Sequence, residues 1–368
     1  MEYDFYVHLA ALSRIFCDKC ADGRRLIGMF GNISEIFTLS GKDLRSIMPG
    51  AEKIIGQLTD RSILDWAEKE VKWAESQGVR LLYVDEPGYP YRLRECEDAP
   101  LMLYCKGKAD LDREHVLAVV GTRRATYYGR TFCRSVIEDL AACGVNPLIA
   151  SGLALGIDGC AHQAALDSGL ETVAVLPCAL DTVYPGRHRE LAEAIAQNGA
   201  LLSDFSRGTP IMAHTFIRRN RIIAGLADAV LLAESFKPGG GLITASLANS
   251  YSREVFAVPG RNTDESFVGC NSLIAKNEAA LVDSADTLAR AMGWMPQKKK
   301  VRQNTLFDDL DSEPKKRIAQ ALRQRSPQSV EELFLISGVR KEDFASILLE
   351  MELAGVVTGV GGGRYGLR

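Results

Sequence analysis

Between Thr215 and Ala245 the chain reads TFIRRNRIIAGLADAVLLAESFKPGGGLITA. Arg218, Arg219 and Arg221 stand beside Phe216 and Asn220, and an apolar run then leads to Gly239, Gly240 and Gly241. Guanidinium groups make bidentate contacts to phosphate oxygens, a phenyl ring offers a face for a base, and glycines admit a phosphate close to the backbone where a helix begins. Together they point to a nucleotide or nucleic-acid phosphate ligand. Ile222 and Ile223 would anchor the helix and leave the arginines toward its beginning, while Phe216 fits a core position equally well. Thr244 and Ser246 add hydroxyl donors after the glycines. The loop lacks the Gly-Lys-Ser/Thr of a nucleoside-triphosphate P-loop, so ATP hydrolysis is not supported, and a plain glycine-rich turn is its structural alternative.

Four further loops carry polar residues of the same kind. GTRRATYYGR presents Gly121, Thr122, Arg123 and Arg124 ahead of a helix expected to begin near Tyr128. It is not GxGxxG and no acidic residue follows at ribose-binding distance, which argues against a dinucleotide cofactor. Both arginines also fit surface salt bridges. SGLALGIDGCAH holds Ser151, Gly152 and Gly156, with Asp158 and His162 four residues apart. That spacing suits a metal, an acid–base pair or a braced loop; no third ligand or nucleophile is nearby, which favours the brace. CALDTVYPGRH contributes Arg187, and GRNTDESFVGCNSLIAKNEA contributes Asn271 and Lys276.

The elements that must position these loops are visible as short apolar runs: VLAVVG at 116, NPLIAS at 146, ETVAVLP at 171, ALLSDF at 200, DAVLLAES at 228 and EVFAVP at 254. Amphipathic segments such as YGRTFCRSVIEDLAACG separate them. Continuous apolar strands alternating with helices predict a doubly wound, mainly parallel α/β sheet covered on both faces. Ligands of such sheets sit beyond the C-terminal strand ends, and the loops named above all follow strand ends, so one composite rim is expected.

Around this core the reading is of a small helical domain over 1–80, a turn-rich connector over 81–110, the α/β domain over 111–294, a solvated linker over 295–313 and a terminal domain over 314–368. LSGKDLRSIMPGAEKII in the first resembles a helix-hairpin-helix, although its glycines fit that motif poorly and a plain helical turn serves as well. The terminal domain shows two helical patterns joined through SGV, then strand, glycine turn and strand, the order of a winged helix-turn-helix. A chain of 368 residues with 46% hydrophobic and 25% charged residues and a net charge of −3 must concentrate any polyanion site locally. Nine cysteines with one close pair, Cys17 and Cys20, lack a second ligand pair for zinc, and no metal site is expected. No apolar run approaches the roughly 20 residues of a membrane span, so a cytoplasmic protein is expected.

The motifs GTRRATYYG, SGLALGIDGCAHQAAL, AVLPCALDTVYPGRHREL, FIRRNRIIAGLADAVLLAE, GGGLITA, REVFAVPG and GCNSLI occur in the order found in the DNA-processing protein A (DprA/Smf) family, which this chain resembles over nearly its whole length. The resemblance implies an extended Rossmann-like fold that binds single-stranded DNA, forms a homodimer and loads RecA recombinase during natural transformation. It implies no catalytic activity and no cofactor. It places a DNA-contacting arginine on Arg123 and a basic stretch on Phe216, Arg218, Arg219, Asn220 and Arg221. Ile217 stands where the family often has proline, and Gly239, Gly240 and Gly241 where it often has SGS. Phosphoribohydrolases of the "LOG" type share a PGG loop but continue with a catalytic carboxylate; here Leu242, Ile243, Thr244 and Ala245 follow. A duplex-binding regulator is a third reading, in which VRKEDFASILLEMELAG offers Arg340 and Lys341 but also Glu342, Asp343, Glu350 and Glu352, a poor match to a major groove. A protein contact or weak duplex contact fits that segment better.

Overall fold

The structure is a computed structural model describing residues 2–295, 312–354 and 356–367. Its first helices are α1 (Glu2–Ile15), α2 (Cys20–Gly28), α3 (Gly41–Ile47), α4 (Glu52–Thr59) and α5 (Ser62–Ser76). Local chemistry sets their ends: Ser40 Oγ accepts from the Asp43 N–H while the Asp43 carboxylate accepts from the Ser40 N–H, a capping box that starts α3. Their apolar faces do not close on themselves. Leu9, Leu12, Phe16, Leu44 and Leu58 belong to one continuous core with Val119 and Leu231 of the central strands, and residues up to Met295 form one compact unit. The separate helical domain expected over 1–80 is thus part of a larger body. Helical periodicity announces an apolar face but not the surface that covers it.

The segment 81–110, expected as a connector, supplies sheet instead. It contains most of β1 (Arg80–Tyr83), the short α6 (Tyr91–Arg94) and β2 (Met102–Gly107). β2 pairs antiparallel with both β1 and the later strand at 199–203. Short runs bounded by Gly and Pro read as turns, and distant partners make them strands.

Next come β3 (Val116–Gly121), α7 (Tyr127–Ala142), β4 (Leu148–Ser151), α8 (Ile157–Asp167), β5 (Thr172–Val175), α9 (Arg189–Asn198), β6 (Gly199–Ser203), α10 (Ala213–Leu226) and β7 (Ala229–Glu234). They are followed by α11 (Gly240–Ser250), β8 (Glu254–Ala257), α12 (Val268–Ala275), β9 (Ala280–Leu281) and α13 (Ala285–Ala291). Among the described residues the sheet has nine strands in the order β1-β2-β6-β5-β4-β3-β7-β8-β9, parallel from β6 to β9. Every residue of β4, β5, β6 and β7 is buried, as two-sided helix cover requires.

The C-terminal unit has its own core, formed by Ile318, Leu322, Leu333, Phe344, Leu348 and Met351. It contains α14 (Glu313–Gln324), β10 (Gln328–Ser329), α15 (Val330–Ser337), α16 (Lys341–Leu353), β11 (Val357–Gly359) and β12 (Arg364–Leu367), with the strands antiparallel in the order β10-β12-β11. This is the expected helix-turn-helix with its wing. The linker expected over 295–313 lies almost wholly outside the described residues. No helix among the described residues is long and apolar enough to cross a membrane.

Candidate nucleic-acid interface

β3 lies between β4 and β7, so the chain winds away from it in two directions and leaves a crevice beyond its C-terminal end. A cleft of about 390 Å³ occupies the crevice, walled by the 121–124 loop, the first half of α10, and the 235–241 loop with the start of α11. The wholly buried Glu234 at the end of β7 fixes the first wall: its carboxylate accepts from the Thr126 N–H at 2.9 Å and the Thr126 hydroxyl at 3.0 Å. Thr126 in turn caps α7 by accepting from the Gly129 N–H. The second loop is fastened to the first, since the Ile157 N–H donates to the Thr122 carbonyl at 3.2 Å. Gly156 allows this approach, having φ of +83° in a place where a Cβ would lie 2.2 Å from that carbonyl oxygen.

From this pinned loop Arg123 and Arg124 extend into solvent, and each guanidinium rides over a phenyl ring. Arg123 sits 4.9 Å from the Phe216 centroid and Arg124 sits 5.4 Å from that of Phe236. Neither has a carboxylate partner among the described residues, so both charges face the cleft. An exposed cation–π contact contributes about 0.5–1 kcal/mol, enough to orient an arginine without neutralising it. Tyr184 packs edge-on against Phe216 at 5.4 Å and extends the aromatic wall.

The three arginines of α10 do not form one edge, contrary to the sequence expectation. At 3.6 residues per turn, Arg218 and Arg221 share a face while Arg219 points about 100° away. Asp204 takes both members of the shared face, with contacts of 2.9 Å to Arg218 and 2.7 Å to Arg221; Arg218 also reaches Asp18 at 3.2 Å. Arg219 alone lines the cleft, 4% exposed, its Nη1 donating to the Val175 carbonyl at 2.7 Å. Burial lowers its pKa to about 10 against the opposing pull of Asp158, which leaves it charged at neutral pH. Burial raises the Asp158 carboxyl, and the Arg219 charge and the Ala154 N–H draw it back down. Gly152 lets the backbone lie close to this pair: a Cβ there would lie 1.9 Å from Arg219 Nη1 and would push the guanidinium aside.

Asn220, half buried, also lines the cleft, with Gly121, Thr122, Gly239, Gly240, Gly241 and Thr244. No side chain caps α11, so its first N–H groups open toward the cleft. The other expected site residues lie elsewhere. Ser151 is buried and donates its hydroxyl to the Val119 carbonyl. Arg187 is exposed on a turn outside the cleft walls. Asn271 clasps the backbone of Gly260. Lys276 follows the last turn of α12, 3.9 Å from Glu278 and remote from the rim at which α12 begins. His162 does not pair with Asp158: its Nδ1 meets the Thr172 hydroxyl at 2.7 Å, and burial pushes its pKa to about 3. That sets aside an acid–base or metal role for the spacing, and the described residues contain no group of three or more His, Cys, Asp or Glu able to hold a metal. Phe236, Tyr184 and Glu234 were not expected at the site. Only Phe236, directly before the KPGGG loop, carried a sequence signal.

The profile of the DNA recombination-mediator protein A family matches residues 80–293, more than half the chain, and that of the DprA winged helix domain matches 308–363. The chain belongs to the DNA-processing protein A (DprA/Smf) family. Among its relatives, Protein Smf of Escherichia coli is 34% identical over 307 residues, covering 82% of this chain and 81% of its own. A putative DNA processing protein DprA of Mycobacterium tuberculosis is 34% identical over 363 residues, covering 94% and 90%. The crystal structure of DprA from Streptococcus pneumoniae superposes with a TM-score of 0.56 at 31% identity, over 69% of this chain and 92% of that one. DprA from Helicobacter pylori, described for its single-stranded DNA binding mode, gives 0.52 at 29% identity, over 59% and 97%. The mainly parallel sheet and the C-terminal winged helix are therefore DprA architecture. The switch-point cleft lies within the matched span.

Proposed function

We propose that the chain binds single-stranded DNA in the switch-point cleft and acts by holding the strand rather than by catalysis. One observation carries this reading: two consecutive arginines without carboxylate partners, each over a phenylalanine, face the uncapped start of α11. Arginines and helix N–H groups suit phosphates, and aromatic faces suit unpaired bases of any identity. Family membership supports a further role in loading RecA onto incoming strands in the cytoplasm, as a homodimer, during transformation. Among the described residues the only carboxylate on the cleft wall is the buried Asp158, which Arg219 compensates, and this supports the absence of phosphoribohydrolase chemistry. For the C-terminal unit a protein contact is favoured over duplex reading, because Leu335 and Leu353 are 76% and 80% exposed and α16 carries four acidic residues.

The test is binding of oligo-dT, oligo-dA and duplex DNA to the wild type, to Arg123→Ala and to Arg219→Ala. Both variants should lose single-strand affinity for dT and dA alike. Unchanged single-strand binding would refute the reading, as would release of ribose 5-phosphate from a nucleoside monophosphate. Ending the chain at Met295 should leave single-strand affinity largely intact.

A further inference from the structure

The loop after β8 builds a second opening on the rim, about 770 Å³ and walled by Thr126, Tyr128, Arg261, Asp264 and Phe267. Thr126 is two residues beyond Arg124, so a strand leaving the first cleft over that arginine meets this opening next. Its aromatic wall is fixed in place: Tyr128, 50% exposed, packs against the buried Phe267 at 5.5 Å and 55°. Its floor is held by Asn271, which accepts from the Gly260 N–H at 3.1 Å and donates to the Gly260 carbonyl at 3.0 Å. The Asp264 N–H donates to the Arg261 carbonyl at 3.0 Å and the Asp264 carbonyl accepts from the Phe267 N–H at 3.0 Å, which sets the two polar residues on one tight turn.

Arg261 and Asp264 both line the opening, yet their side chains form no ion pair with each other and no hydrogen bond to any other described residue. A guanidinium and a carboxylate that line one opening without pairing match a ligand that offers adjacent acceptors and adjacent donors. The carboxylate disfavours a phosphate here, in contrast to the first cleft. We propose that this opening takes a guanine base of the bound single strand, an inference that rests on the proposed single-strand binding. Guanine presents N1–H and N2–H donors together for Asp264, and O6 and N7 acceptors together for Arg261, while its face stacks on Tyr128. Adenine and thymine offer no pair of adjacent donors on one edge. Cytosine sets a ring acceptor beside its amino group, where it repels a carboxylate.

The test is fluorescence anisotropy with an oligo-dT of about 20 nucleotides, long enough to span both openings, and its variants carrying one central dG, dA or dC. The dG oligomer should bind roughly fivefold tighter or more than the parent, with dA and dC near the parent. Asp264→Asn and Arg261→Ala should each abolish the dG gain and leave oligo-dT affinity within about twofold, since Tyr128 still stacks any base. Equal affinity for all four oligomers overturns the guanine assignment; if Arg123→Ala still weakens oligo-dT, single-strand binding itself stands. Failure of every oligomer to bind overturns both. A free guanine nucleotide carries the same edge, and saturable dGMP binding lost in Asp264→Asn, without any preference within the strand, would assign the opening to a mononucleotide and overturn the strand-bound form.

Discussion

Replacing Arg123 and replacing Arg218 with alanine should have opposite signatures, although both belong to the basic set that first marks the chain. Arg123 has no carboxylate partner among the described residues, and its guanidinium lies over the Phe216 ring at 4.9 Å. Arg218 is held by Asp204 at 2.9 Å and Asp18 at 3.2 Å. Counting Arg123, Arg124 and Arg219 as the cleft cations, release of counterions from a single strand gives a log–log salt slope of about −2. Arg123→Ala should flatten it to about −1.4 and, with loss of a charge-assisted contact worth about 1.5–3 kcal/mol, weaken binding roughly 10- to 150-fold at physiological salt. Its melting temperature should stay within a few degrees of wild type. Arg218→Ala should leave the slope near −2 and lower unfolding free energy by about 1.5–3 kcal/mol, because Asp204 keeps only Arg221. Anisotropy titrations from about 50 to 200 mM salt, paired with urea unfolding, measure both quantities. An Arg218→Ala slope as flat as that of Arg123→Ala, or an Arg123→Ala slope equal to wild type, would refute the partition of the arginines.

Other outcomes follow from the same contacts. Asp204→Ala leaves the buried Arg221 without its carboxylate and Arg218 with only the exposed Asp18, and should cost about 3–5 kcal/mol in urea unfolding. Gly152→Ala places a Cβ 1.9 Å from Arg219 Nη1, so single-strand affinity should fall toward that of Arg219→Ala while circular dichroism stays native. His162 is held near pKa 3 when folded, against an ordinary value of 6.5. The unfolded chain therefore binds more protons between these values; the stability contribution is complete above about pH 6.5 and is lost as pH falls toward 3, by up to about 1.4 kcal/mol per pH unit. His162→Gln should flatten that limb of a stability–pH curve measured by urea unfolding, and an unchanged slope would rule out this histidine as its origin.

The strands from β3 to β8 were legible because strands buried on both faces read as unbroken apolar runs, with VLAVVG and DAVLLAES giving β3 and β7 almost to the residue. The strand ends then located the rim, and with it Arg123 and the glycine triplet. β1 and β2 escaped notice since their pairing depends on strands far along the chain, and β9 has only two residues. The division of α10 was half legible. Helical phase alone separates Arg219 from Arg218 and Arg221, but nothing local identifies Asp204 as the group that holds the latter two. Glu234 was hidden for the same reason: a wholly buried carboxylate at a strand end has meaning only once the loop it clasps, more than a hundred residues earlier, is beside it.

The continuous core that joins the N-terminal helices to the sheet also governs how the chain can be divided. A fragment beginning near residue 80, where the family profile begins, would expose the apolar surface that α1 and α5 cover, and would strip Asp18 from Arg218. The C-terminal unit carries a separate core. Calorimetry should therefore record one transition for everything up to Met295 and a second, independent one for the winged helix. Among the described residues the division that leaves both cores whole falls between Met295 and Ser312, even though the sequence reads as five segments.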